Sequence, residues 1–414
     1  MLDGKRRGGN VSNRAVLLTI CGLWFVLAGG AAAQTWNPVW SDEFDGPAGT
    51  SIDAAKWKFE TGILKVNNEI EFYCAPDSTA GGCNSAKPNA YIDGNGHLVI
   101  QAIKLNPSTA PNSGSWTSAR MVTDGMGQFQ YGRAEARMTL PVGPGIWPAF
   151  WALGTNISSV GWPTCGEIDY LENVPASRGL GPAKISSTLH GPGYSGDKGL
   201  PRKYTFPNGD VTGWHTYGAI WSPNMIQFYV DDPAKVFYVI TAADVPAGQS
   251  WAFNHPFYLL MNLAVGGDGS WPGPADATTP TPAVMTVDYV RIYKATAVPA
   301  PSLGNPVSIT VKAGATSGTS TALSVANKVG TGRVFLSCTT TAPKATCQVS
   351  TGDRLNPRTL DFSSRDKGVA EITVSTIPGD ETAPGNYLIT VNAYTVSGDG
   401  AAPDASVNVP LIVN

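Results

Sequence analysis

The chain has 414 residues, 42% of them hydrophobic and only 14% charged, with a formal net charge of −3. That is enough apolar material for one large or two ordinary cores, and it argues against a globally disordered chain. The absence of a long basic run, with a pI near 5.8, argues against a phosphate-binding surface, so no nucleic-acid partner is expected. The 47 Gly and 32 Pro supply turns, and frequent Val, Thr and aromatic residues favour an all-β chain.

Taken from the N-terminus, Lys5, Arg6, Arg7 and Arg14 precede the apolar run AVLLTICGLWFVLAGG and the small-residue exit AAAQ. This pattern predicts a secretory signal peptide over 1–33, cut after Ala33, with an uncleaved anchor helix as the alternative. The chain is therefore expected to be secreted and extracellular, with the periplasm or cell surface as further destinations. In an oxidising compartment, Cys74 with Cys83 and Cys338 with Cys347 are expected to form local disulfides. Cys165, the odd one, is expected to be a buried, inert thiol.

From Trp36 to about residue 295 the chain reads as strand-length runs separated by Gly, Pro and Asn. In YGRAEARMTL, Ala134, Ala136, Met138 and Leu140 fall on one face; Tyr131, Arg133, Glu135 and Arg137 fall on the other. In MIQFYVDDP, Ile226, Phe228 and Val230 alternate with Gln227 and Tyr229. PFYLLMNLAVGG is apolar on both faces, which suits a strand covered on each side. No segment keeps a 3.6-residue period for more than a turn or two, so a sandwich or barrel spanning 34–295 is expected. All 12 Trp and all 4 His lie before residue 272. A linker is expected at 296–306, and the alternating runs VSITV, RVFLSC, GVAEITV, GNYLITVNAYTV and ASVNVPLIV predict a smaller immunoglobulin-like β-sandwich over 307–414.

The chemistry concentrates in GEIDYLENV, which places Glu167, Asp169 and Glu172 within seven residues of an apolar strand. On a regular strand Glu167 and Asp169 share a face and Glu172 does not. A one-residue bulge at Tyr170 or Leu171 would bring Glu172 onto that face, leaving two carboxylates near the separation a retaining glycosidase needs. The bland alternative is a solvated edge carrying three unrelated acids. Upstream, GIWPAFWALG offers Trp147 and Trp151 as surfaces for stacking on sugar rings. No close His pair suggests a zinc site, GYSGD is not a nucleophile elbow, and GGDGSWPG lacks the Lys of a nucleotide-binding loop.

GEIDYLE matches the E-I-D-x-x-E signature of glycoside hydrolase family 16 in its bulged, laminarinase-like branch. WSDEFDG, NNEIEFY, YGRAEARM, GIWPAFWALG, HTYGAIWSPNMIQFYVDD, FYLLMNLAVGGDGSWPG and VDYVRIY resemble that family too, in its order, over about Trp36 to Lys294. The resemblance implies a jelly-roll β-sandwich with a concave sugar-binding cleft. It implies Glu167 as nucleophile, Glu172 as general acid/base and Asp169 as the assisting carboxylate. Trp147 and Trp151 would line the cleft, with Asn68, Glu69, Arg120, His190 and Trp271 as further substrate contacts.

It implies no catalytic cofactor. Many members carry a structural calcium, for which Asp288 would offer a side-chain oxygen and Glu43 a backbone carbonyl. The expected activity is retaining endo-hydrolysis of β-1,3 or mixed β-1,3/1,4-glucan by a monomer. Alternatives are another β-linked polysaccharide such as agar or galactan, transglycosylation, or a non-catalytic glucan-binding protein. The segment NVPASRGLGPAK, between the last Glu and STLHG, departs from the family pattern and puts the substrate in doubt more than the chemistry.

Overall fold

A computed structural model describes residues 34–106, 115–296, 299–316, 318–377, 382–395 and 402–414. The expected signal segment and its Cys21 lie outside the described residues. Among the described residues no helix is long and apolar enough to cross a membrane.

Alternation builds the sheets. In the strand Gly132–Thr139, Ala134, Ala136 and Met138 enter the core; on the other face Arg133 and Arg137 are partly buried and Glu135 is buried. Tyr131 departs from the expectation. It has a φ of 58° and packs edge-on against Trp221 in the core. It precedes the strand, where alternation no longer dictates the face.

Ten strands form one sheet. Its continuous path is Val236–Thr241, Met225–Val230, His215–Ser222, Gly132–Thr139, Ala283–Ala295, Leu98–Lys104, Trp116–Ser118 and Glu71–Tyr73. Seven antiparallel strands form the other, in the order Leu200–Thr205, Lys184–His190, Glu167–Glu172, Ile146–Gly154, Phe257–Val265, Arg120–Val122 and Lys58–Phe59. A single core joins their facing sides: Ala136, Phe228 and Ile292 from the first meet Phe150, Tyr170 and Met261 from the second. Each such large side chain contributes roughly 1.5–3 kcal/mol by leaving water. The strand Phe257–Val265 is buried at all nine positions. Its odd-numbered residues enter the core, while Tyr258 and Leu260 join a smaller cluster with Val122, Leu153 and Cys165.

Both expected disulfides are present, Cys74–Cys83 and Cys338–Cys347. Cys165 is free and buried, and burial, followed by the charge of Glu167, pushes its thiol up to about 11. A thiol so seldom ionised is a poor nucleophile.

Beyond residue 301 a four-stranded and a five-stranded sheet enclose a separate core that includes Val334, Ile372, Val391 and Leu411. The five expected runs all carry strands: Ile309–Val311, Arg333–Thr340, Lys367–Thr376, Gly385–Tyr394 and Ala405–Val413. The stretch expected to be a linker already contributes Ser302–Leu303, which pairs with Ala326 and Val325.

The second pair of sheets is also packed against the first. Phe335 and Tyr394 form a cluster with Met225, Val236 and Val239 at the edge of the ten-stranded sheet. Beside it, Asp244 accepts hydrogen bonds from Asn356 at 2.6 Å and Arg358 at 2.8 Å. Asp244 is itself fixed by the backbone N–H and hydroxyl of Thr241, both at 2.7 Å. Phe335 is 2% exposed, so Phe335→Ala in the full chain is expected to cost about 3 kcal/mol. Calorimetry should show the melting temperature falling by several degrees; an unchanged profile would mean the two parts are not energetically coupled here.

Candidate active site

The strand Glu167–Glu172 is bulged at the position its spacing requires. Against Ile146–Gly154, Asp169 faces Trp151 and Leu171 faces Phe150, leaving Tyr170 as the inserted residue. Against Lys184–His190, Asp169 faces Thr188 and Glu172 faces Ser186, so Tyr170 and Leu171 together oppose Ser187. Ile168, Tyr170 and Leu171 enter the core, where Tyr170 stacks on Phe150 at 4.8 Å. The carbonyl of Tyr170 accepts the Ser187 hydroxyl at 2.6 Å, so the bulge leaves no polar cost at that oxygen. Glu167, Asp169 and Glu172 turn to the opposite face.

Two indoles hold the outer acids. Trp162 Nε1 donates to Glu167 at 2.8 Å and Trp147 Nε1 donates to Glu172 at 3.1 Å. Ala149, the Cα partner of Glu172, lies between Trp147 and Trp151 along its strand. His190, opposite Glu167 across the ladder, brings Nε2 to 3.2 Å from Asp169 and 3.7 Å from Glu167, without hydrogen-bond alignment to Asp169. The imidazole fits because residue 199 is Gly: a Cβ there would sit 2.4 Å from its Cε1. Ligand atoms of Glu167, Asp169 and His190 all fall within 4.8 Å of one another.

Burial raises the pKa of all three carboxyls above the ordinary carboxylate range. For Glu167 burial leads, followed by the charge of Asp169, and the result is about 8. For Glu172 burial leads as well, followed by the charge of Asp169, and the charge of Glu167 adds to the rise. Three crowded acids in a desolvated wall cannot all be ionised, so they share protons. The indole of Trp162 and the guanidinium of Arg120 favour the charged form of Glu167. Glu172 is left as the better proton holder.

The remaining expected residues cluster around these acids with different immediate roles. Trp271 meets Trp147 edge-on at 5.5 Å and is 38% exposed. Arg120 lies over the ring of Trp151 at 4.7 Å and pairs with Glu60. The carbonyl of Asn68 accepts the N–H of Gly267, and Glu69 bridges to Gly266, joining two loops beside the site. Trp162, 49% exposed and bonded to Glu167, was missed by sequence reasoning. Its signal was present: an indole in the turn GWPTCG, five residues before the first acid.

Of the residues suggested for calcium, both side chains are engaged with arginines. The Asp288 carboxylate is paired with Arg137 at 2.5 Å, and that of Glu43 is held by Arg291 at 2.6 and 3.0 Å.

The model of the family "Glycosyl hydrolases family 16" matches residues 80–291. Among curated relatives, the glucan endo-1,3-β-glucosidase A1 of Niallia circulans is 34% identical over 62% of this chain and 38% of its own length. The beta-glucanase of Rhodothermus marinus is 35% identical over 63% of this chain and 86% of its own. The chain thus spans little more than a third of the first relative and most of the second. Among solved structures, the endo-β-1,3-glucanase of Pyrococcus furiosus is 41% identical, with a TM-score of 0.55 over 64% of this chain and 96% of that one. These neighbours identify the two large sheets as a jelly roll.

Trp162→Phe removes one donor while keeping a large ring, so the charged form of Glu167 loses support and its pKa rises. Carboxyl 13C shifts followed against pH should place its titration higher than in the parent chain; an unchanged midpoint would mean that the indole bond does not tune Glu167. Stability carries a second signature. The folded-state pKa of Glu172 is raised, so its contribution is full below the unfolded value of 4.5 and is lost as pH rises toward the folded value. The melting temperature is expected to fall as pH rises above 4.5, and less steeply in Glu172→Gln.

Proposed function

The chain belongs to glycosyl hydrolase family 16, and we propose that it is a retaining endo-β-glucanase acting on β-1,3 or mixed β-1,3/1,4-glucan. The observation that carries this reading is the unequal holding of two glutamates on one face of a bulged strand. Each glutamate has an indole donor; Glu167 also has the guanidinium of Arg120 nearby and is repelled by Asp169 alone, whereas Glu172 is repelled by both Asp169 and Glu167. Retaining glycosidases need this pair, one carboxylate to attack and one acid to protonate.

Glu167 attacks the anomeric carbon while Glu172 gives its proton to the leaving glycosidic oxygen. The carbon–oxygen bond breaks and a glycosyl ester forms on Glu167. Forming the ester removes the charge of Glu167, one of the causes that raise Glu172. The pKa of Glu172 therefore falls at the stage when, as a carboxylate, it must take a proton from water. That water attacks the same carbon, and Glu167 leaves as a carboxylate with the anomeric configuration retained. The exposed rings of Trp162 and Trp271, with Trp147, supply surfaces for stacking on sugar rings. Export by residues 1–33 and action as a single chain outside the cell belong to the same proposal, which is supported by the leader-like sequence and by a polymeric substrate.

Incubation with laminarin, mixed-linkage glucan, agarose and cellulose is expected to release short oligosaccharides from the first two, appearing first as the β-anomer by NMR. Release from agarose alone would move the assignment to a galactan. Glu167→Gln should lose more than about 10³-fold in turnover while still binding oligosaccharide. Activity close to that of the parent chain would remove its role as nucleophile. The rate should fall on the acid side as Glu167 is protonated and on the alkaline side as Glu172 loses its proton. Glu172→Gln should lose polymer hydrolysis but retain much of the first step on a dinitrophenyl glycoside, whose leaving group needs no proton.

A further inference from the structure

Beneath one wall of the cleft runs a chain of side chains that the mechanism above does not use. Trp151 Nε1 donates to Asn262 Oδ1 at 2.9 Å. Asn262 Nδ2 donates to Tyr73 Oη at 3.0 Å, and Tyr73 Oη donates to Glu69 Oε2 at 3.0 Å. Asn67 Nδ2 closes the far end on Glu69 Oε1 at 3.1 Å.

The direction of every bond is forced. An indole N–H can only donate, so the amide of Asn262 must turn its oxygen to Trp151 and its nitrogen to Tyr73. The phenol, already accepting, passes its proton toward a carboxylate. Burial and the charges of Glu71 and Glu69 keep that phenol protonated. The members are enclosed: Tyr73 is 1% exposed and Asn262 5%. Beside them, buried Glu71 accepts the N–H of Val265 at 2.8 Å, tying the short Glu71–Tyr73 strand to the end of the strand carrying Asn262.

The chain ends on residues at the substrate face. Trp151 is the ladder partner of Asp169, and the guanidinium of Arg120 covers its ring. At the other end, Glu69 neighbours Asn68 in the loop that pairs with Gly266 and Gly267. With its edge bonded to Asn262 and its face covered by Arg120, the indole of Trp151 has one favoured plane.

We propose that Asn262 and Tyr73 are positioning residues for substrate binding, fixing the indole plane of Trp151 and coupling it to the Asn67–Glu69 loop. This rests on the reading of the cleft as a β-glucan site. The two residues touch no sugar; they act through Trp151. A loosened indole would bind a sugar ring less well but would leave the proton transfers of Glu167 and Glu172 in place.

Tyr73→Phe breaks the chain at its middle and removes only one oxygen. On laminari-oligosaccharides it is expected to raise KM about tenfold while changing kcat less than about threefold. Trp151→Phe should raise KM as well, and adding Tyr73→Phe to it should raise KM no further, because the chain then has nothing to hold. Additive effects, or a loss confined to kcat, would overturn the proposal. A substrate-free readout separates this result from a failure of the glucanase reading. The Trp151 indole N–H should exchange slowly with D₂O in the parent full-length chain and clearly faster in Tyr73→Phe. Equal exchange in the two proteins would overturn the proposal whatever the substrate proves to be.

Discussion

The placement of one extra residue, Tyr170, governs the site. A strand turns successive side chains to opposite faces, and Glu172 lies five positions after Glu167, an odd offset. Without an insertion, one of them would have to enter a core made of Phe150, Phe228 and Met261. An uncompensated carboxylate there would cost far more than the bulge, whose freed carbonyl is satisfied by Ser187. The apolar pull on Tyr170 and Leu171, both driven inward, and the polar demand of Glu172 thus select the same register.

Collecting three acids on one desolvated wall has its own consequence. Their charges cannot coexist, so the donors around them decide which one carries charge. Two indoles serve here, Trp162 for Glu167 and Trp147 for Glu172, and a third, Trp151, is held away from the acids by Asn262. Large aromatic rings suit this work. Each supplies one N–H with a fixed direction, excludes water, and leaves a flat surface on the side facing the substrate.

The second pair of sheets changes the meaning of the chain's organisation. Its composition, without Trp or His, sets it apart from the catalytic part. Its contacts join the two. The apolar cluster around Phe335 and the bonds that converge on Asp244 hold the two parts together at the end of the ten-stranded sheet, where Asn356 also donates to the carbonyl of Val239 in the edge strand. A freely moving spacer would need neither contact.

Much of this was legible in the sequence, because it follows from local periodicity. Alternation in YGRAEARM and MIQFYVDD identified core faces, the nine-residue spacing of two cysteine pairs indicated their bridges, and the odd spacing of Glu167 and Glu172 demanded a bulge. The limits of that reasoning are equally physical. Tyr131 was assigned to the wrong face because alternation holds only within a strand. Several strands of the second part, among them Thr319–Ala326 and Ala345–Ser350, passed unnoticed because their polar faces and short apolar runs resemble loops. Which indole would bond which glutamate, that His190 would stand opposite Glu167, and that Tyr73 would meet Asn262 across 189 positions of chain had no local signal. Which residues alternate, where the turns fall and that three acids share one strand depend on neighbours along the chain and can be read there. The donors and rings around those acids come from strand pairing, which brings together residues whose separation in sequence carries no information about their distance in space.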